Sequence, residues 1–354
     1  MEVKTRKEYY SFTGANFHGV TVNRTIGTFL FSLIGSLSFG QDFHFSGFMQ
    51  NIGYVNPAYA AMPSSGELGL TYRNQWPGIP ATFVTYGASL IMPVSSLNSG
   101  IGLNLMNDMQ GSGVINQSSV SLLYGYRIYL GNSWQLAAGI SGSYVFRRFN
   151  ADELVFRSDI LNDLGYAYSP VTLNSYTKNY PDFSFGLITR YNNNLTAGIS
   201  FGHLTRPQHT FSEMVGSRMP IKFTAFVSGK LPLNSSSIAV EPALFYSVQQ
   251  SNNELIWGSR FILANSIMVG GWIRQNMQFD FEAVIISAGI SWEKYNISYS
   301  YDVNLKKINF LSTKMAAHEV TFLYRFEYKE EQPVRRGMKR GMKGSRKAVC
   351  PAYD

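Results

Sequence analysis

Apolar and polar residues alternate with a period of two along most of this chain, and this pattern constrains the fold more than any other feature. In 294–304, five apolar or aromatic residues share one face, while Asn, Ser and Asp residues share the other. The same alternation marks 120–130 and 318–328. Successive side chains of a β-strand point to opposite faces, so this period predicts strands.

After Gly66 the alternation predicts about 14 strands, several of about 10 residues, the length that a tilted membrane-spanning strand needs. The predicted strands are 66–75, 81–92, 99–107, 120–130, 134–148, 182–191, 195–201, 221–231, 236–249, 254–263, 266–275, 279–291, 294–304 and 318–328.

The connections between these strands are long on alternate links only. If the first strand runs outward, the links after even-numbered strands are all short, for example 131–133 and 192–194. The long links, 149–181, 203–220 and 305–317, all follow odd-numbered strands. Outer-membrane barrels combine short periplasmic turns with long extracellular loops. A soluble sandwich or propeller has no physical reason for this one-sided arrangement.

Composition agrees with a barrel in a membrane. Charged residues make up 15% of the chain, against about 25% in soluble domains, while Phe, Tyr and Gly are abundant at 25, 22 and 32 residues. The apolar face of each strand can meet lipid, the polar face can meet a wet interior, and closure leaves no unpaired edge. Trp76, Trp134 and Trp292 lie at strand boundaries, as expected of interfacial aromatic girdles. We predict an all-β fold, a transmembrane antiparallel β-barrel located in the outer membrane.

The two ends of the chain differ from the predicted barrel. Arg24 precedes an apolar run, 26–39, with small residues Ser38 and Gly40 at its end, so 1–40 is interpreted as a signal peptide with a long n-region. A buried core helix is the alternative for that run. Residues 41–65 are predicted to be a periplasmic lead-in or plug segment, 66–328 the barrel, and 329–354 a basic periplasmic tail.

The net charge of +8 resides mainly in the tail, so the basic pI does not indicate a nucleic-acid partner. The tail repeats an Arg-Gly-Met-Lys unit and lacks a core pattern, so it is predicted to be disordered alone. Its basic residues are either a solvated extension or a site for an acidic periplasmic partner. These residues are Arg335, Arg336, Lys339, Arg340, Lys343, Arg346 and Lys347.

Residues for catalysis, cofactor binding or metal binding do not form a recognisable pattern. The single cysteine, Cys350, has no partner for an internal disulfide. No nucleophile elbow or phosphate-binding loop is present, so we predict a protein that is not an enzyme and needs no cofactor. Charged residues inside predicted strands are interpreted as interior ion pairs, with an ion-selective lumen as the alternative. The arginines among them are Arg73, Arg127, Arg190, Arg260, Arg274 and Arg325.

Short motifs in a fixed order carry a resemblance to a known family. Asn56-Pro57-Ala58-Tyr59-Ala60 forms a turn signal, and it is followed by Tyr72-Arg73-Asn74-Gln75-Trp76 with Gly78. Asn107-Asp108 with Gly111 comes next, and Tyr324-Arg325-Phe326 closes the series. In this order and spacing the chain resembles the PorP/SprF family of outer-membrane proteins. It departs from the family pattern at Ala61, where the family usually has Gly.

The resemblance implies a barrel in the type IX secretion and gliding machinery of Bacteroidetes. One branch of that family works with periplasmic ring and lipoprotein components, and the other serves a large surface adhesin; the sequence leaves both open. We therefore predict a component that docks a secreted adhesin or periplasmic partners at the outer membrane, in contact with its lipids. The alternative is a passive channel or a FadL-like transporter.

Overall fold

The structure is a computed structural model of the 354-residue chain, and it describes residues 42–78, 82–154, 173–211, 218–233, 237–305 and 316–327. The predicted signal peptide and the basic tail lie outside these residues. The described residues from Phe43 onward belong to one compact unit.

Fourteen antiparallel strands pair in sequence order and form a closed barrel. The first strand, β1 (Gly66–Gln75), pairs with the last, β15 (Ala317–Phe326). Strand β10 (Ile238–Gln249) pairs with both β8 (Lys222–Gly229) and β11 (Asn252–Leu263), so the ring has no free edge. A two-residue strand, β9 (Leu231–Pro232), pairs with β10 at one rim. The barrel strands are β1 (Gly66–Gln75), β2 (Phe83–Val94), β3 (Ser99–Gln110), β4 (Ile115–Leu130), β5 (Trp134–Phe149), β6 (Tyr176–Tyr191), β7 (Leu195–Gly202), β8 (Lys222–Gly229), β10 (Ile238–Gln249), β11 (Asn252–Leu263), β12 (Ile267–Gln275), β13 (Phe281–Trp292), β14 (Tyr295–Asn304) and β15 (Ala317–Phe326).

The strand faces divide as the alternation predicts, and the all-β barrel class is confirmed. In β14, for example, Asn296, Ser298, Ser300 and Asp302 are buried, whereas Tyr295, Ile297, Tyr299 and Val303 are exposed. An exposed apolar wall on every side of the ring suits a hydrocarbon environment. Among the described residues, no helix is long and apolar enough to cross a membrane.

Several strands are longer than the alternation indicated. β4 begins at Ile115 rather than 120, and β6 begins at Tyr176 rather than 182. On the outward face the added residues include Asn116, Ser118 and Asn179, which interrupt the apolar stripe. Strand pairing continues past the point where a lipid-facing apolar stripe ends, because the backbone ladder does not depend on that stripe.

The two rims of the barrel differ. One rim, the short-turn end, carries the connections 95–98, 131–133, 192–194, 264–266 and 293–294. At the opposite rim, the long-loop end, β5 ends and β6 begins, β7 ends and β8 begins, and β14 ends and β15 begins; the links between these pairs are the longest in the sequence. Trp134 and Trp292 lie at the short-turn end and Trp76 at the long-loop end.

Residues 43–62, which precede β1, lie inside the barrel. We call Phe43–Met62 the lumen segment; it contains a one-turn helix, α1 (Ile52–Val55), and a 3-10 helix, η1 (Pro57–Ala61). Two further 3-10 turns, η2 (Ser95–Leu97) and η3 (Ala151–Glu153), lie in connections. The lumen segment contacts the inward faces of strands around the ring, and its interactions define the candidate site.

Candidate functional site

The turn at Asn56 follows from its local sequence. Asn56 precedes Pro57 and has extended backbone angles, φ −141° and ψ 114°, as the residue before a proline prefers. Pro57 then occupies the first turn of η1, where its missing N–H costs nothing. The Asn56 side chain caps this helix by accepting a hydrogen bond from the Ala58 N–H at 3.0 Å.

The same side chain attaches the turn to the barrel wall. The Asn56 amide donates to the carbonyl of Leu187 on β6 at 3.0 Å and to the carbonyl of Ile199 on β7 at 2.8 Å. Asn56 is fully buried, so these bonds are shielded from water. Loss of the donor to a buried carbonyl destabilises a protein by about 1–3 kcal/mol. Asn56 therefore attaches the turn to the wall through specific hydrogen bonds.

Four glycines on the wall form a seat for Asn56–Ala61. Gly100, Gly125, Gly139 and Gly186 lie on β3, β4, β5 and β6 and stand directly opposite one another in register. We call them the glycine row. A Cβ at any of them would come closer than 3.0 Å to the lumen segment. The nearest atoms would be Ala60 O at Gly100, Ala61 N at Gly125, Ala58 N at Gly139 and Asn56 Oδ1 at Gly186. The wall is therefore flat here because a backbone lies against it.

Tyr59 ties the turn to the short-turn end. Its hydroxyl donates to Glu67 Oε2 at 2.9 Å, and Glu67 also accepts from Arg325 Nε at 3.1 Å. Burial raises the pKa of the Tyr59 phenol above its ordinary value, and the negative charge of Glu67 raises it further. The hydroxyl therefore stays protonated and remains a donor at physiological pH.

The middle of the lumen segment combines apolar and polar contacts. Phe48 packs against Phe245 of β10 and Trp272 of β12, with ring centroids 5.1 and 5.5 Å apart. Asn51 Oδ1 accepts from Thr71 Oγ1 at 2.8 Å. The carbonyl of Gly53 accepts from Asn104 at 2.9 Å, and that of Val55 accepts from Ser200 at 2.8 Å. Strands on several sides of the ring thus hold the segment.

Near the long-loop end the segment meets a buried group of charges, which we call the ion cluster: Arg73, Arg274, Asp302 and Glu319, with Ser46. Arg73 lies 3.1 Å from Asp302 and 3.2 Å from Glu319, and Arg274 lies 2.8 Å from Asp302. The Ser46 hydroxyl donates to Asp302 Oδ2 at 2.7 Å and accepts from both arginines. All four charged side chains are buried, so each depends on the others for compensation.

Backbone groups of the lumen segment complete this cluster. The N–H groups of Ser46 and Gly47 donate to the two oxygens of Glu319 at 2.7 and 2.9 Å. Asn51 approaches the same carboxylate at 3.4 Å. Two convergent backbone donors on one carboxylate fix the segment relative to β15, because charge-assisted bonds are the strong ones.

His44 lies next to the cluster. Burial lowers the pKa of its imidazole well below the ordinary value, and the nearby charges of Arg274 and Arg73 lower it further. Glu254 Oε1 lies 3.9 Å from His44 Nε2, which would favour protonation, but this oxygen already pairs with Arg274 Nε at 2.8 Å. The imidazole is therefore neutral at physiological pH.

Interior ion pairing accounts for four of the six strand arginines that were singled out from the sequence. Arg73 and Arg274 belong to the ion cluster, Arg260 pairs with Glu241 at 2.7 Å, and Arg325 pairs with Glu67. Arg127 and Arg190 differ, because each donates instead to the backbone carbonyl of Met62 at 3.5 Å.

The structure distributes the remaining motif residues along β1 and β3. Arg73 faces the lumen, whereas Tyr72 faces outward and packs on Tyr86 with ring centroids 5.3 Å apart. Gln75 ends β1 opposite Ala317. The next motif residues form the rim: Trp76 has φ 61° and donates its N–H to Ala316 O at 2.8 Å, and Gly78 is exposed.

The Asn-Asp-Gly motif follows the same division. Asn107 faces outward and donates to Asn116 and Ser118 at 2.7 and 2.8 Å. Asp108 is buried and accepts from Thr85 Oγ1 at 2.6 Å and from Gln110 at 2.8 Å. Gly111 takes φ +63° as β3 ends. The seven basic tail residues lie outside the described part of the chain.

Sequence reasoning did not single out Ser46, Glu319, Gly139 or Gly186. Their residue types are common on polar strand faces, and only their closeness to the lumen segment gives them a role. The one available signal was the inward position of Glu319 beside the alternating apolar residues of the last strand.

The arrangement holds a peptide segment inside a barrel. Within the described ranges, no group of three or more His, Cys, Asp or Glu side chains could hold a metal ion. What the site offers is a lumen occupied by the chain itself, with attachments at both ends of the segment.

The family model described as "Type IX secretion system membrane protein PorP/SprF" matches residues 37–324. No curated protein gives a significant match to the chain.

Several solved structures resemble this barrel. The P. putida toluene transporter TodX has 9% identity and a TM-score of 0.48, over 77% of this chain and 93% of its own. The Acinetobacter baumannii outer membrane protein Omp33 has 8% identity and a TM-score of 0.41, over 74% and 98%. A Pseudomonas aeruginosa FadL homologue has 13% identity and a TM-score of 0.41, over 77% and 93%.

Proposed function

Because the chain belongs to the PorP/SprF family of type IX secretion system membrane proteins, we propose that it serves this system as a docking component without enzymatic activity. It is a β-barrel of the outer membrane. Its docking partners would be a secreted surface adhesin or the periplasmic motor and ring components. In this proposal the long-loop end faces the cell surface and the short-turn end faces the periplasm, as in other outer-membrane barrels.

The observation that supports docking over diffusion is the occupied lumen. The lumen segment is held by buried ion pairs near the long-loop end and by Asn56 and the glycine row near the short-turn end. Such a segment acts as a plug. A passive channel needs an open, polar, water-filled path, and an ordered peptide attached to β6, β7, β14 and β15 obstructs one.

Conductance in planar bilayers tests the plug. The purified full chain is expected to insert without a large, steady open-pore current. A variant that weakens both attachments, Asn56→Ala with Ser46→Ala, is expected to show more frequent openings. Leu70→Ala on the lipid-facing wall is the matched control and should behave as the wild type. A steady large conductance of the unmodified chain would favour the passive channel instead.

Deletion of the gene tests the role in secretion. We expect the deletion strain to lose type IX secretion or surface display of an adhesin, and the wild-type chain to restore it. Normal secretion in the deletion strain would contradict the proposal.

We propose further that the basic tail binds an acidic periplasmic partner of the secretion machinery. The seven cationic side chains would increase the rate and selectivity of association more than raw affinity, because a disordered segment loses conformational entropy on binding.

A pair of variants separates charge from length in the tail. Removal of 334–354 and replacement of the seven basic residues by Gln should both leave the barrel assembled. Both should reduce co-purification of lipoprotein components of the secretion machinery, and the wild-type interaction should weaken with added salt. Full retention of these partners by either variant would assign the tail no binding role.

A further inference from the structure

Within the described barrel, two inward arginines near the short-turn end lack the carboxylate partner that Arg73, Arg260, Arg274 and Arg325 have. Arg127 lies on β4 and Arg190 on β6. Within the described residues, neither lies in ion-pair contact with a carboxylate. Arg73, Arg260, Arg274 and Arg325 each do.

The register brings these two side chains to one place on the wall. Arg127 stands opposite Ala137 of β5, and Arg190 stands opposite Gln135, two residues nearer the same rim. Both guanidinium groups reach the carbonyl of Met62, where the lumen segment leaves the lumen, at 3.5 Å. Two cations therefore converge on the exit of the segment.

Their hydrogen bonding is far from complete. A guanidinium carries five N–H donors, and each of these two makes a single long bond within the described part of the chain. Arg127 is only 8% exposed, and its Nε is buried without a partner. A buried charge without an opposite charge is costly, so the site favours an anion.

The side chains around the two arginines are compatible with a bound anion, and none of those that the structure describes provides a carboxylate that pairs with either arginine. The ring of Tyr129 lies 5.1 Å from the Arg127 guanidinium carbon, a stacking contact that leaves the edge donors free. Glu67 of β1 accepts from Tyr59 and Arg325 and forms no ion pair with Arg127 or Arg190. Arg190 is only partly buried, so the pair can be approached from the short-turn mouth.

We propose that Arg127 and Arg190 form a binding site for an oxyanion group, a carboxylate or a phosphate, that enters at the short-turn end. Planar guanidinium groups bind both kinds of oxyanion through paired N–H donors. The bound anion competes with the Met62 carbonyl for the same donors. Occupancy of the site therefore loosens the exit of the lumen segment. The site stands on the arginine geometry and does not depend on the secretion role.

Thermal unfolding of the full chain in detergent, followed by Trp fluorescence, tests the site at constant ionic strength. The two probes are inorganic phosphate and an acetylated, amidated tetraglutamate peptide. Saturable stabilisation by phosphate alone assigns a phosphate ligand, and stabilisation by the peptide assigns a carboxylate. No saturable shift with either probe would overturn the proposal.

Variants locate the binding. Arg190→Gln, the less buried change, should weaken probe binding at least tenfold, and Arg127→Lys should weaken it while retaining the charge. Arg148→Gln removes one exposed strand cation elsewhere and should bind as the wild type. Equal affinity in Arg190→Gln and Arg148→Gln would overturn the site even if Arg127→Lys fails to fold.

The chain's own C-terminus requires a separate control. A chain that ends at Gln332 should bind the probes with unchanged affinity. Binding that appears only after this truncation would show that the tail itself fills the site, and the proposal of an external anion would fail.

Discussion

The two ends of the lumen segment are held by different physical means. Near the long-loop end, Ser46 and Gly47 contact a buried group of four charges on β1, β12, β14 and β15. Near the short-turn end, Asn56–Ala61 lies on a row of glycines and donates through a neutral amide to two wall carbonyls. One end depends on charge compensation and the other on shape.

This difference predicts different tolerances. A buried charge that loses its partner has no cheap alternative, because the remaining ion stays desolvated. A close steric fit fails when volume is added, but it is insensitive to pH and salt. Substitutions at the two ends should therefore separate in size and in their response to solution conditions.

The largest expected effect comes from the ion cluster. Arg73→Met leaves Glu319 without its cation, and it should lower the free energy of unfolding in urea by about 3–5 kcal/mol. Arg325→Met is the matched control, because Arg325 is 44% exposed and Glu67 keeps its bond from the Tyr59 hydroxyl, so the free energy of unfolding should fall by less than in Arg73→Met. Equal losses would contradict the view that burial makes this cluster decisive.

The next effect comes from the glycine row. Gly139→Ala would place a methyl group against the Ala58 backbone, and it should lower the free energy of unfolding by about 1–3 kcal/mol. The same variant should show channel openings in planar bilayers. Gly142→Ala on the opposite face of the same strand meets only Phe183, at 3.5 Å, and should be nearly neutral. If Gly139→Ala were as well tolerated as Gly142→Ala, the turn would not rest on the row.

A smaller effect is expected at Tyr59. Tyr59→Phe removes one hydroxyl donor to Glu67, but Glu67 keeps its bond from Arg325. The free energy of unfolding should therefore fall by about 0.5–1.5 kcal/mol. Unfolding in urea at pH 7 measures it. A loss above that of Arg73→Met would reverse the order proposed for the two ends.

The smallest effect is a pH dependence at His44. Its folded pKa is lowered, so the unfolded chain binds more protons below an unfolded pKa of about 6.5. Stability is therefore unaffected above that pH and falls as pH decreases from about 6.5 toward the lower folded pKa. Unfolding midpoints between pH 7.5 and 5 should decrease less in His44→Gln than in the wild type. Identical profiles would show that the imidazole does not contribute.

Much of the barrel could be predicted from the sequence. The period of two placed the 14 barrel strands in order, and the one-sided long connections placed the loops at one rim. The ends of the strands were harder to predict, as at β4 and β6, because polar residues continue the hydrogen-bonded ladder beyond the apolar stripe. The Asn-Pro turn was visible because Pro restricts the backbone locally.

The partners of that turn were decided by tertiary structure alone. Gly100, Gly125, Gly139 and Gly186 are far apart in sequence, and only the register of four strands aligns them. Likewise, nothing local distinguishes the paired Arg73 from the unpaired Arg127, since both are cations on the polar face of a strand. Alternation and turn chemistry are local properties, so the sequence alone determined the elements and their faces. Which inward residues meet inside the barrel depends on closure and register, which bring residues hundreds of positions apart into contact.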